Sequence, residues 1–169
     1  MSRKLLPIIL FAFAASGAAA QTAVPSATPF SPFLGYWKGN GQYGAPGKDP
    51  VALALSLSCR KAVAGQAVRC DFVGRGDTMT FVEADLMGVD PALGIGHWFA
   101  INNQGDTHDH IAEWPDAKTM IAHYDWEKNG KQMRENIVFR FTHEKDMDFR
   151  SVITENGQEV GAFFGKLSR

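Results

Sequence analysis

The sequence predicts an all-β protein built as a closed antiparallel barrel or a β-sandwich of about ten strands. After Pro32, short runs alternate apolar and polar residues, turn residues separate the runs, and long helical periodicity is absent. Two Asn-Gly dipeptides, at residues 129–130 and 156–157, are strong signals for two-residue hairpins. The predicted strands are Leu34–Tyr43, Val51–Lys61, Ala67–Gly74, Thr78–Met87, Ile95–Asn102, Thr107–Trp114, Thr119–Trp126, Met133–Phe141, Met147–Ile153 and Val160–Lys166.

Residues 1–20 are predicted to be a secretory signal peptide. Arg3 and Lys4 precede an apolar run from Leu5 to Ala15, and the small residues at 18–20 place cleavage before Gln21. The apolar run is shorter than the ~20 residues that a membrane helix needs, and no later segment reaches that length. We therefore expect an exported protein, periplasmic or secreted, without a membrane span after cleavage.

The remainder is expected to form a flexible lead-in followed by one domain. Residues 21–32 are rich in Pro, Ala, Ser and Thr, as linkers often are, and residues 33–169 are long enough for one core. Cleavage removes two of the 17 basic residues and none of the 18 acidic ones, which leaves a net charge of −3. No nucleic-acid partner is expected from that charge. The oligomeric state is left open.

The two cysteines are predicted to form a disulfide. A turn centred on residues 63–66 sets Cys59 opposite Cys70 on neighbouring strands. An oxidising compartment would allow the two thiols to pair. The alternative is two free, buried thiols.

The hairpin turns predict which residues face the interior. The first Asn-Gly turn pairs Trp126 with Met133, and the second pairs Phe149 with Phe164. The faces defined in this way are almost entirely apolar, so they should be buried. The expected interior aromatic residues are Trp37, Phe81, Phe99, Trp114, Tyr124, Trp126, Phe139, Phe141 and Phe149.

The segment "FLGYWKGNGQY", residues 33–43, carries a resemblance to a known superfamily. Its pattern L-G-x-W-x-G-x-G resembles the first strand of the calycins, which are the lipocalins and their relatives. It is similar in particular to lipocalin-like domains of exported bacterial proteins of unassigned function, and more distantly to the nitrobindins. The resemblance implies a lipocalin-like β-barrel in which Trp37 closes one end and Lys166 or Arg169 packs on it.

Organic cofactors are not expected. Nitrobindins bind haem through a histidine near the C-terminal strands, whereas the last histidine here is His143. The Gly-x-Gly-x-x-Gly pattern of residues 39–44 is followed by Ala-Pro-Gly and lacks the helix of a dinucleotide site. Zinc is the cofactor that remains possible.

His108 and His110 are candidate metal ligands because residues two apart on a strand share a face. With His97 from the preceding strand, they resemble the arrangement in periplasmic zinc-binding proteins of the lipocalin-like type. Their orientation depends on "WPDAK", residues 114–118. A three-residue turn sets Trp114 opposite Lys118 and turns both histidines inward, whereas a two- or four-residue loop turns them outward.

A second loop decides where His97 points. A two-residue loop at residues 104–105 sets Phe99 opposite His110 and turns His97, Phe99 and Ile101 inward. We favour this choice because Phe99 and Ile101 are apolar. A three-residue loop ending at residue 105 would instead bring Trp98 inward and turn His97 outward.

Two acidic residues are also expected in the interior. A turn at residues 75–76 pairs Cys70 with Phe81 and places Glu83 and Asp85 inside. A buried carboxylate is costly unless it is paired or bound to a metal, so Glu83 would be either a polar anchor in a pocket or the partner of an imidazole. The alternative is a β-bulge that turns both acids outward.

The function predicted first is non-enzymatic binding of a small apolar or amphipathic ligand. The expected ligand-binding residues are Trp37, Glu83, Phe99, His110, Trp114 and Tyr124. The alternative is zinc binding through His97, His108 and His110, and a third possibility is a structural domain whose barrel is filled by side chains. No Gly-x-Ser-x-Gly elbow is present, so hydrolase activity is unsupported.

Overall fold

The computed structural model, which describes residues 28–169, is a closed barrel of ten antiparallel strands. The predicted all-β class and the predicted number of strands are confirmed. No helix in this range is long and apolar enough to cross a bilayer. The strands are β1 (Gly35–Gly44), β2 (Val51–Ala62), β3 (Ala67–Arg75), β4 (Thr80–Asp90), β5 (Ile95–Asn102), β6 (Thr107–Asp116), β7 (Thr119–Lys128), β8 (Lys131–His143), β9 (Asp146–Glu155) and β10 (Gln158–Ser168).

Each strand pairs with the next one in sequence, and the pairing of β1 with β10 closes the barrel. Gly39 on β1 lies opposite Leu167 on β10. A Cβ atom at Gly39 would overlap the carbonyl oxygen of Lys166. Glycine on β1 therefore allows the two strands that close the barrel to approach each other closely.

A 3₁₀ helix, Thr28–Phe33, covers one end of the barrel, which we call the closed end. Phe30 is fully buried and lies edge-on to Trp114, with ring centroids 4.6 Å apart. Residues 28–32 thus belong to the barrel, and the expectation of a flexible lead-in is wrong for them, because their aromatic side chain is buried in the core. The predicted signal peptide and residues 21–27 lie outside the described residues.

Trp37 anchors the closed end. Its Nε1 donates a hydrogen bond of 2.7 Å to the carbonyl oxygen of Phe33. The guanidinium of Arg169 lies over its ring, 4.4 Å from the centroid, whereas Lys166 is exposed. The contact that the calycin resemblance implied is made, and Arg169 is the residue that makes it.

The predicted disulfide is present. Cys59 on β2 is bonded to Cys70 on β3, and the two residues are direct cross-strand partners. The turn at residues 63–66 therefore sets the predicted register. The bond lies near the closed end, because β2 ends there and β3 begins there.

The two Asn-Gly turns form as predicted, but only one of the predicted registers holds throughout. Trp126 pairs with Met133. On β10 the register shifts between Glu159 and Gly161, so Phe149 lies opposite Gly165 instead of Phe164. This bulge turns Phe164 to the outside, where it is 45% exposed.

The histidines of β6 face inward, but the connection is not the three-residue turn that we expected. Residues 117–118 form a two-residue turn, with Asp116 opposite Thr119. A register shift between Glu113 and Asp116 then restores the alternation, so that Ala112 pairs with Ala122. The predicted orientation is correct, and the predicted loop length and cross-strand partners are wrong because the bulge was not foreseen.

The connection from β5 to β6 contradicts the favoured prediction. It is a three-residue loop, residues 103–105, and Gly105 has a φ of +85°, which suits the left-handed last position of such a loop. Trp98 therefore pairs with His110 and faces inward. Phe99 and Ile101 face outward and are 44% and 48% exposed, and His97 also points outward.

The hairpin of β3 and β4 keeps its predicted faces with a different register. Cys70 pairs with Asp85 instead of Phe81, because four residues, 76–79, connect the strands. The register differs from the prediction by an even number of residues, so the faces are unchanged. Glu83 and Asp85 accordingly point into the barrel.

The disulfide should contribute substantially to stability. Replacing both Cys59 and Cys70 with Ser should lower the free energy of unfolding by about 2–3 kcal/mol, because the bond closes a short loop in the unfolded chain. Urea denaturation measures the change. Dithiothreitol should destabilise the native protein and leave the double variant unaffected; equal stability of the two oxidised proteins would contradict the prediction.

Candidate functional site

The barrel is hollow over part of its length. A cavity of about 670 Å³ opens at the end that carries the Asn-Gly turns, which we call the mouth. A smaller pocket of about 90 Å³ lies deeper. Phe81, Glu83, Glu135, Ser151 and Phe163 line both, so the two spaces are neighbours inside the barrel.

The deeper pocket has aromatic walls. Phe72 contacts Phe81, Phe149 and Phe163, with ring centroids 5.7–6.1 Å apart. These residues come from β3, β4, β9 and β10, whose inward positions face one another across the barrel. An apolar group that enters from the mouth would be surrounded by ring edges and faces.

A stack of three rings lies near the mouth. His108 stacks on Tyr124 at 4.7 Å, and Tyr124 stacks on Trp126 at 5.3 Å. All three side chains line the large cavity. The stack restricts the orientation of the His108 ring.

Glu135, on β8, is the centre of a hydrogen-bonded group. Its Oε1 accepts a hydrogen bond of 2.5 Å from Ser151. Its Oε2 lies 3.0 Å from Nε2 of His110 and 3.5 Å from Nδ1 of His108. The side chain is only 13% exposed, and hydrogen bonds at both oxygens orient the carboxylate inside the cavity.

The surroundings of Glu135 keep it ionised. Burial would raise the pKa of this carboxyl, but hydrogen bonds from His108, His110 and Ser151 outweigh burial and lower its pKa to about 2. A fixed negative charge therefore lies in the cavity at neutral pH.

A second acidic group, Glu83 and Asp85, lies on β4. Asp85 is buried and accepts a hydrogen bond of 2.7 Å from Nε1 of Trp98. Burial raises the pKa of Glu83 to about 9, and the charges of Asp85 and Glu135 add to the effect. Burial also raises the pKa of Asp85, to about 7, although the bonds from Trp98 and Glu83 oppose it. Both carboxyls therefore hold a proton more tightly than free acids do, and their mutual hydrogen bond favours the proton on Glu83.

The structure brings together part of the predicted site. Glu83, His110 and Tyr124 line the interior space, as does His108. Trp37 and Trp114 are at the closed end and are not among the residues that line the two pockets. The interior position predicted for Phe99 is wrong, because the three-residue loop places it on the outer surface.

His97 cannot join His108 and His110. It lies on the outer face of β5, where its Nδ1 is 3.2 Å from a carboxylate oxygen of Asp109. The predicted three-histidine arrangement therefore does not form. Within residues 28–169, His108, His110 and Glu135 have possible ligand atoms within 4.8 Å of one another.

Sequence reasoning missed two polar residues of the site, Glu135 and Ser151. Glu135 alternates with Met133 and Ile137 on a face that we assigned to the interior, so its position was available from the sequence. The same is true of Ser151, two residues after Phe149. Trp98 faces inward as in the alternative that we did not favour, because the loop between β5 and β6 has three residues.

Comparisons with known proteins bear on the fold. No protein-family model matches the sequence, and no curated protein matches it. The structure is similar to the protein Rv2717c of M. tuberculosis, with a TM-score of 0.67 and 15% identity over 86% of this chain and 97% of that one. It is also similar to the S-type phycobiliprotein lyase CPES of Guillardia theta, with a TM-score of 0.62 and 12% identity over 86% and 93% of the two chains.

A third similar structure is a DUF3598-family protein of unknown function from Nostoc punctiforme. Its TM-score is 0.56 and its identity is 11%, over 82% of this chain and 48% of that chain. The fold is a lipocalin-like barrel. The predicted lipocalin-like fold is thereby confirmed, and at these identities the likeness establishes the fold alone.

The raised pKa of Glu83 predicts a pH-dependent stability. The folded protein binds this proton more tightly than an unfolded chain, in which the pKa is near 4.5. The stabilising contribution is complete below that value and is lost as the pH rises towards about 9. Glu83→Gln should therefore gain stability relative to the native protein as the pH rises, by less than about 1.4 kcal/mol per pH unit.

Urea denaturation of both proteins between about pH 6 and about pH 9 measures this difference. Glu113→Gln, a change of the same kind at an exposed position on β6, is the control and should show no such trend. A constant difference between Glu83→Gln and the native protein would show that Glu83 does not carry the proton.

Proposed function

We propose that the barrel binds a small amphipathic ligand, with the apolar part in the aromatic pocket and the polar part at Glu135. The observation that carries the proposal is that an aromatic pocket and a larger cavity lie side by side in the barrel, with the ionised carboxylate of Glu135 lining both. Ligand sites combine those two features, and the volume of about 670 Å³ lies within the usual range for small molecules. The proposal is one of binding without catalysis.

The charge of the lining favours one kind of head group. Glu135 is ionised, and Glu83 and Asp85 share the same interior. A carboxylate head group would meet these acids at low dielectric and would be repelled. A protonated amine, or a neutral group that donates hydrogen bonds, would instead pair with Glu135.

The similar solved structures support the proposal only through the fold. One of them is named as a phycobiliprotein lyase, so this kind of barrel is used by a protein with a specific biochemical role. The argument for a ligand here comes from the residues of the cavity. Of the residues predicted from the sequence to bind it, Glu83, His110 and Tyr124 are the ones in position.

The ligand proposal predicts saturable binding of the neutral dye Nile red, with a rise in its fluorescence. Ile153→Trp should weaken binding by about tenfold or more, because Ile153 lines the cavity and the larger ring would occupy part of it. Ile121→Trp is the matched control: the same change on the outer surface, where Ile121 is 38% exposed, should leave binding unchanged.

Competition tests the head group. Dodecylamine should displace the dye at a lower concentration than dodecanoate, and Glu135→Gln should reduce that preference, because it removes the charge that distinguishes the two. No saturable binding by the native protein, or equal loss of binding in both tryptophan variants, would refute the cavity as the site. A preference for dodecanoate would refute the head-group assignment.

We also propose that the protein is exported. The disulfide supports this, because such bonds persist mainly in oxidising compartments. Expression of the full chain in a bacterium should yield a periplasmic or secreted protein whose mass corresponds to a chain that begins at Gln21. Recovery of the uncleaved chain from the cytoplasm would contradict the proposal.

A further inference from the structure

The arrangement of His108, His110 and Glu135 points to a second kind of ligand at the polar end of the cavity. The atoms His110 Nε2 and His108 Nδ1 lie 3.0 and 3.5 Å from the same oxygen, Glu135 Oε2. In a tetrahedral zinc site, bonds of ~2.0–2.2 Å place neighbouring ligand atoms ~3.3–3.5 Å apart. These two separations are close to those that a bound zinc ion requires, and all three candidate ligand atoms lie within 4.8 Å of one another.

The hydrogen bonding of His110 supports a cation between its ring and Glu135. Nδ1 of His110 lies 3.4 Å from the carbonyl oxygen of Trp98, which can only accept a hydrogen bond. In the neutral ring whose Nδ1 carries the proton, Nε2 presents a lone pair to Glu135, and two acceptors 3.0 Å apart need a metal ion between them. Without a metal ion, Nε2 carries a proton and donates the hydrogen bond to Glu135 described above.

The three side chains are oriented by their neighbours, as metal ligands usually are. Ser151 donates to the Oε1 atom of Glu135 and leaves Oε2 directed at the histidines. The His108 ring is fixed by its stacking on Tyr124 and Trp126. Little reorganisation is needed before an ion can bind.

We propose that His108, His110 and Glu135 bind zinc through two imidazole nitrogens and one carboxylate oxygen. Three protein ligands leave a fourth position open, as in zinc sites that bind an exchangeable molecule. His108 and Glu135 line the large cavity, so that position faces it. This proposal shares Glu135 with that of the amphipathic ligand, so a bound zinc ion and a protonated amine would compete for this carboxylate, but zinc binding needs no apolar molecule.

Calorimetric titration with zinc chloride tests the site, using native protein first dialysed against EDTA. We expect one zinc ion per chain. Loss of an outer-shell partner already costs about 10–100-fold in metal affinity, so Glu135→Gln, which removes a ligand, should cost more than about 100-fold. His108→Ala with His110→Ala should abolish binding, and circular dichroism without metal checks that these variants are folded.

The matched control is His97→Ala with His123→Ala, which also removes two histidines, both from the outside of the barrel. It should bind zinc as the native protein does. No saturable binding by the native protein would overturn the proposal, as would binding that survives in folded His108→Ala with His110→Ala or that disappears in the control. Nile red binding to the EDTA-treated protein reports on the amphipathic ligand separately.

A test without substitution uses Co²⁺ and the four tryptophan indole N–H signals in the NMR spectrum. The rings of Trp98 and Trp126 contact those of His110 and His108, with centroids 4.9 and 5.6 Å apart, and their signals should be broadened by the paramagnetic ion. Trp37 and Trp114, at the closed end, should be affected less. Equal broadening of all four signals, or none, would overturn the site even if the histidine variants did not fold.

Discussion

Closing ten strands around one interior obliges each strand to present every second residue to it, and the site depends on this alternation. The site forms because the alternate residues that face inward on β6, β8 and β9 include His108, His110, Glu135 and Ser151. Bulges and loop lengths decide which alternate residues of a strand face inward. The bulge between Glu113 and Asp116 keeps the histidines inside, and the three-residue loop before β6 turns His97 out. Inserting or deleting one residue at either place would turn the cavity-lining side chains outward and bring inward the side chains that now face water.

Much of the fold could be predicted because its signals are local. Strand alternation depends on neighbouring residues, and an Asn-Gly turn requires positive φ values that those residues adopt readily, as Asn129 and Gly130 do here. The position of the disulfide followed from one turn. Loop lengths were harder, because competing loops place comparably apolar residues inside. Both Phe99 and Trp98 are apolar enough to be buried. The loop that forms is the one that turns Trp98 inward, where it donates a buried hydrogen bond to Asp85 on another strand.

The candidate site was predicted only in part, for a related physical reason. The alternation of β8 indicated that Glu135 faces inward. Burying an isolated carboxylate is costly, however, and the apolar residues around it in sequence do not identify the groups that offset this cost. The compensating groups come from other parts of the chain. Ser151 lies on β9, and the two histidines lie on β6, which is not a neighbour of β8. Only the closed barrel brings these groups to the same carboxylate.

The two ends of the barrel differ in the contacts that stabilise them. The closed end contains the Cys59–Cys70 bond, the buried 3₁₀ helix and the contact of Arg169 with Trp37, whereas the mouth is bordered by hairpin turns. Hairpin tips of this kind tolerate substitution and insertion, since they contribute little to the core. New recognition properties can therefore arise at the rim while the scaffold is conserved. For protein engineers, the mouth hairpins are the natural positions for randomised libraries, and the closed end is the part to leave intact.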